Sequence, residues 1–131
     1  MKKLNVKSVI ALVVICLAVL AYFYINRDIP VTFDKNAVSY PCTIEVTRES
    51  YYGGKLLTYA VYIDNQKAGN IANGDSKKYS LNLQEGTHVI YVKYGPLKSK
   101  ALKFDIKEAN NLKFRCKTKS ILGIDIWQSH E

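Results

Sequence analysis

The chain has 131 residues, enough for one domain of ordinary size plus a short targeting element and too few for two independent cores. Its formal charge is +8, from 19 Lys and Arg against 11 Asp and Glu, but Lys2, Lys3 and Lys7 all precede a long apolar stretch. The portion C-terminal to that stretch is only moderately basic, so charge alone argues for a solvated surface, or for one attracted to anionic partners, and not for a polycation.

Residues 1–7 form a lysine-rich leader, and from Val9 to Ile25 every side chain is apolar or aromatic. A run of that length reaches the short end of a bilayer span. It contains no Gly or Pro, so a continuous helix can satisfy every backbone amide internally. We therefore expect a transmembrane signal anchor over residues 8–25. Tyr22 and Tyr24 would lie at the outer interface, and the basic leader would stay in the cytoplasm. The alternative is a secreted domain released by cleavage after Ala21, since Val19-Leu20-Ala21 offers small residues where a signal peptidase reads. Against it, the apolar run continues through Tyr22-Phe23-Tyr24-Ile25. Val14 and Ile15 do not make a lipobox before Cys16, which reads as a small apolar residue, and a type IV pilin junction is absent.

Residues 26–41, with two prolines and several polar side chains, read as a stalk, although Val31-Thr32-Phe33 could add an edge strand. Beyond them the apolar period is two, with turn residues at short intervals. Strands are expected at Cys42-Ile44-Val46, at Leu57-Tyr59-Val61-Ile63, briefly around Gly69-Asn70-Ile71, and at Tyr79-Leu81-Leu83. Further strands are expected at His88-Ile90-Val92, Leu102-Phe104-Ile106 and Leu112-Phe114-Cys116. Asn73-Gly74 is the strongest tight-turn signal. The fold class is all-β: a single antiparallel β-sandwich of seven or eight strands over residues 42–118, with a tail, 119–131, that adds a strand or packs on the sandwich.

On this parity Cys42 and Cys116 both point into the core, one on the first strand and one on the last. That makes them either a core disulfide, which an oxidising compartment would favour, or two buried thiols that need no partner.

Three strings carry a resemblance. They are Val61-Tyr62-Ile63-Asp64-Asn65-Gln66-Lys67-Ala68-Gly69, Ile71-Ala72-Asn73-Gly74-Asp75-Ser76, and Leu83-Gln84-Glu85-Gly86-Thr87-His88-Val89-Ile90-Tyr91-Val92. Their hairpin and turn motifs resemble, in order, those of the PEGA-like β-sandwich modules of bacterial envelope proteins, and Phe114-Arg115-Cys116 resembles the strand that ends them. The match covers about Tyr59 to Cys116. It implies an Ig-like sandwich used for binding or spacing at the cell envelope, and no reaction. Two departures stand out. The loop Tyr94-Gly95-Pro96-Leu97-Lys98 lacks the cysteine some relatives carry, so a disulfide would have to use Cys42, and Ile121 to Trp127 is too short for a further membrane helix.

Chemistry-bearing residues are few. His88 shares the parity of Ile90 and Val92 and reads as a structural residue at a strand entrance, while His130 lies at the C-terminus. Cys42, His88 and Cys116 stand singly, without zinc spacing, and the Asp64-Asn65 and Asn73-Gly74-Asp75 turns lack the acidic run that calcium needs. Outward positions are more informative. Lys103, Asp105 and Lys107 on one strand and Lys113, Arg115 and Lys117 on the next would merge, if the strands were neighbours, into one basic face. Such a face suits an anionic partner, or else lysines that blunt an exposed edge. Tyr62 and Tyr91 could form an aromatic patch for a protein or glycan, or pack across strands. Nucleic acid fits poorly, because no aromatic platform is interleaved with these lysines. The expected function is a non-enzymatic, single-pass membrane-tethered module, without cofactor or metal, that binds a protein or an anionic envelope component. The alternative is an envelope-resident inhibitor or immunity-type protein that blocks a toxin or hydrolase by contact.

Overall fold

A computed structural model describes residues 3, 5–26, 30–31, 36–54, 57–120 and 123–130. The apolar run closes into one helix, α1 (Val6–Asn26), whose first turn is capped by Asn5: its side-chain oxygen accepts the Lys7 N–H at 3.2 Å. Twenty-one residues at 1.5 Å each make a rod of about 31 Å, matching a hydrocarbon core of about 30 Å. Its stretch Val6–Tyr24 is long and apolar enough to cross a membrane, and none of it is buried against protein.

The remainder is mostly β, arranged as two sheets. The strands are β1 (Ser39–Arg48), β2 (Tyr59–Ile63), β3 (Gln66–Ile71), β4 (Ser76–Gln84), β5 (Gly86–Tyr94), β6 (Leu97–Lys98), β7 (Leu102–Ile106), β8 (Asn110–Ser120) and β9 (Gly123–Ser129). Sheet A runs β4-β1-β8-β9, and sheet B runs β3-β2-β5, with β6 and β7 together lining the far side of β5. Period-two patterning buries Ile44, Val46, Leu112 and Phe114 from sheet A against Val61, Ile90, Val92 and Phe104 from sheet B in a single core.

Several boundaries move. The sheet begins at Ser39, three residues before the expected strand start, and the tail becomes β9, paired along β8. The Val31-Thr32-Phe33 edge strand and Ile121-Leu122 fall largely outside the described residues. One strand pair is parallel, contrary to the all-antiparallel expectation: β1 and β8 align as Ile44↔Leu112 and Val46↔Phe114. The hairpin turn is Asp64-Asn65, with φ of 52° and 65° joining Ile63 to Gln66, the geometry of a primed turn. Asn73-Gly74 instead carries the chain from sheet B to sheet A.

Two local devices hold this arrangement. Between β6 and β7, Ser99 replaces a ladder rung: its N–H donates to the Val92 carbonyl at 2.9 Å, and its Oγ accepts the Val92 N–H at 3.0 Å. Where β3 meets β4, the Tyr79 ring lies on Gly69, so closely that a Cβ there would sit 3.0 Å from the ring edge and the hydroxyl.

Candidate functional site

The topology decides which of the expected site residues can act together. Cys42 stands opposite Asn110, and Cys116 stands opposite Arg48, six residues further along the same parallel pair. That offset is about 20 Å of extended strand, against the roughly 7 Å limit between Cα atoms for a disulfide. Of the two readings open for this pair, the candidate Cys42–Cys116 disulfide does not fit the separation, and both are buried free thiols.

Cys116 is also chemically quiet. Burial pushes its thiol up to about 12, with the Arg48 guanidinium pulling the other way and Glu49 adding a smaller rise. The folded state thus holds this proton more tightly than the unfolded chain, whose thiol titrates near 9. Its contribution is whole below pH 9 and is lost as pH climbs towards 12, by about 1.4 kcal/mol per pH unit. We expect urea midpoints of the wild type to fall faster between pH 9 and 11 than those of Cys116→Ala; parallel curves would refute the assignment.

His88 is buried inside a polar knot. Its Nδ1 lies 2.6 Å from Asp64 Oδ2 and its Nε2 lies 2.6 Å from the Gln84 carbonyl, while Asp64 Oδ1 accepts the Val89 N–H at 3.0 Å. Both ring nitrogens are therefore engaged. The ring also stacks on Phe104 with centroids 5.7 Å apart. The knot forms part of the lining of a cavity of about 360 Å³ between the edges of β3 and β4, together with Ile63, Ala68, Leu81 and Leu83. Each polar group of the pair is spent on holding the β2–β3 turn to the β4–β5 crossover. Among the described residues no three His, Cys, Asp or Glu side chains converge as a metal site.

The charged faces differ from expectation in a way that matters. Lys103 and Asp105 lie on β7 in sheet B, with Lys107 just past its end, whereas Lys113, Arg115 and Lys117 lie on β8 in sheet A. All six point away from the core, but onto opposite outer faces, so no merged basic face exists. The reason is that the β7–β8 turn crosses between sheets, a choice that strand parity does not reveal.

On the outer face of sheet A the cations stand beside acids. Glu45 sits in register between Lys78 and Lys113, Lys117 stands opposite Asp125 with its Nζ 5.7 Å from the Trp127 ring, and Arg115 reaches Glu49 at 3.4 Å. On the outer face of sheet B the registers set them differently. Lys93 faces Lys98 directly across β5 and β6, Lys103 faces Val89, and Lys67 faces Tyr62. The acid in these rows is Asp105, which accepts the Thr87 hydroxyl at 2.7 Å.

The two tyrosines meet at the centre of this face. Tyr62 and Tyr91 stand opposite each other with rings stacked at 5.2 Å and 7°. Tyr91 is only 2% exposed: Lys98 Nζ lies 4.1 Å from its ring centre and its hydroxyl donates to Asn65. It packs across strands and offers no open stacking platform, while Tyr62 is half-buried, with Lys93 Nζ 5.5 Å away. Lys67, Lys93 and Lys98 join the site only through registers that the sequence did not expose.

No protein-family model matches the chain, and no curated protein matches it in sequence.

Proposed function

We infer that the chain is a non-enzymatic, single-pass membrane-tethered envelope module. In this reading α1 is a signal anchor with the leader in the cytoplasm, and the two sheets form a β-sandwich of the PEGA-like, Ig-like kind that binds a partner outside it. The observation that carries the reading is the uneven charge of the two outer faces: one sets acids beside its cations, while the other gathers three lysines around a tyrosine stack, with Lys103 and Asp105 on the neighbouring strand. Cross-strand like charges cost stability, so a face that keeps them is supported by what it meets. The buried Cys116 thiol and the fully engaged His88 add weight to a binding role over a reactive one.

The test is in-cell crosslinking of the full-length protein in a bacterial host, followed by mass spectrometry of the captured material and of its N-terminus. The expected outcome is a membrane-fraction protein that keeps its leader peptide and enriches an envelope partner released by salt. A new N-terminus at Tyr22 in the soluble fraction overturns the tether, and salt-independent recovery without a partner overturns the binding role.

A further inference from the structure

We propose that the outer face of sheet B docks on the anionic headgroups of the same membrane that α1 enters, laying the domain flat against the bilayer. This names the partner of the site described above and rests on the tethered reading. Three observations converge on it.

The first is the kind of charge. Lys67, Lys93, Lys98 and Lys103 are all lysines, compact point charges on flexible stems, and no arginine fork stands among them. Such a set suits a diffuse anionic plane better than a single phosphate or carboxylate held in a fixed geometry. Lys93 and Lys98 each hold the ammonium group over a tyrosine ring, at 5.5 Å from the centre of Tyr62 and 4.1 Å from that of Tyr91, so the cations and the aromatic surface form one patch. Tyr62, half-buried between Lys67 and Tyr91, has the apolar body and polar tip that favour headgroup depth.

The second is shape. The charges lie on four strands of one sheet, β3, β5, β6 and β7, and Lys67 also borders the cavity between β3 and β4. Cations spaced over several strands of one face can meet an anionic surface at several points at once.

The third is reach. α1 ends at Asn26 and β1 begins at Ser39, so the connecting chain spans about 45 Å at most even when fully extended. The domain is confined to a thin layer beside the bilayer, where a weak face becomes occupied through effective concentration alone. Sheet A, whose outer cations stand beside Glu45, Glu49 and Asp125, gains less from that proximity.

The experiment is lysine acylation footprinting of the full-length protein in nanodiscs of phosphatidylcholine alone or mixed with phosphatidylglycerol, read by mass spectrometry. We expect acylation of Lys93, Lys98 and Lys103 to slow roughly fivefold in the anionic discs only, and to recover at high salt. Lys113 and Lys117 should react equally in both. The variant Lys67→Glu, Lys103→Glu changes exposed positions and should abolish the protection while circular dichroism stays that of the wild type. Equal reactivity in both discs overturns the proposal. Protection by soluble polyphosphate, with none in anionic discs, also overturns it and assigns the face to a polymer, leaving the tethered module intact. Failure of the tether shows separately, as loss of the leader peptide in the crosslinking experiment.

Discussion

Replacing Arg48 by alanine is expected to cost about 4 kcal/mol of stability, a large share of the 5–15 kcal/mol that holds a typical domain together. The guanidinium is fully buried, lies 3.7 Å from the centre of the Tyr59 ring, and donates to the carbonyls of Leu57 at 2.5 Å and Ile71 at 3.2 Å. It therefore ties the chain entering β2 and the end of β3 to the end of β1, a job that needs a planar group with several donors. Truncation leaves two buried carbonyls without this donor and opens a void beside Tyr59, whose hydroxyl hydrogen-bonds Thr118 on β8. Arg48→Met fills the void without replacing the donors and should recover about half the loss. Trp127, the single tryptophan, lies on β9 and reports unfolding in urea by fluorescence. An alanine variant within about 1 kcal/mol of the wild type contradicts the bracing role.

The second large effect is expected at the buried pair. His88→Ala should destabilise by about 3 kcal/mol, because the Asp64 carboxylate, 10% exposed, keeps a backbone donor but loses its ring partner at 2.6 Å. Asp64→Asn should cost less, since asparagine tolerates the positive φ of 52° and can still hydrogen-bond at the turn. A double-mutant cycle over the two positions should return a coupling of about 2 kcal/mol. Additive losses in that cycle show that His88 serves by its volume against Phe104 alone.

Much of the strand pattern was legible because it is local. Alternation through Cys42, Ile44 and Val46, through Tyr59, Val61 and Ile63, and through Leu112, Phe114 and Cys116 puts the same side chains inward that the structure buries. The same parity carried one step further turns Arg48 inward, a signal present in the sequence but easily lost because arginine reads as surface. Which sheet a strand joins is a different kind of fact. Strands β7 and β8 are separated by three turn residues yet belong to different sheets, and β1 finds β8 in parallel across most of the domain. Those choices depend on packing between distant segments. Parity thus gives the outward orientation of the basic residues and the burial of the cysteines, but neither which strands stand beside the first nor how far apart the second lie.

The parallel pairing of β1 with β8 also sets an order in time. β1 is the first strand of the chain and lies in the middle of sheet A, flanked by β4 and β8. Its second neighbour is synthesised last but one, so sheet A remains a two-stranded ribbon with an open flank until nearly the whole chain has emerged. Contacts this distant in sequence make folding slow, in the millisecond-to-second range typical of nonlocal β topologies. During that interval β1 is a sticky edge. On the tethered reading proposed above, α1 would hold this unfinished edge beside the bilayer while the last strands arrive, so that the helix would serve the folding chain before it serves as an address.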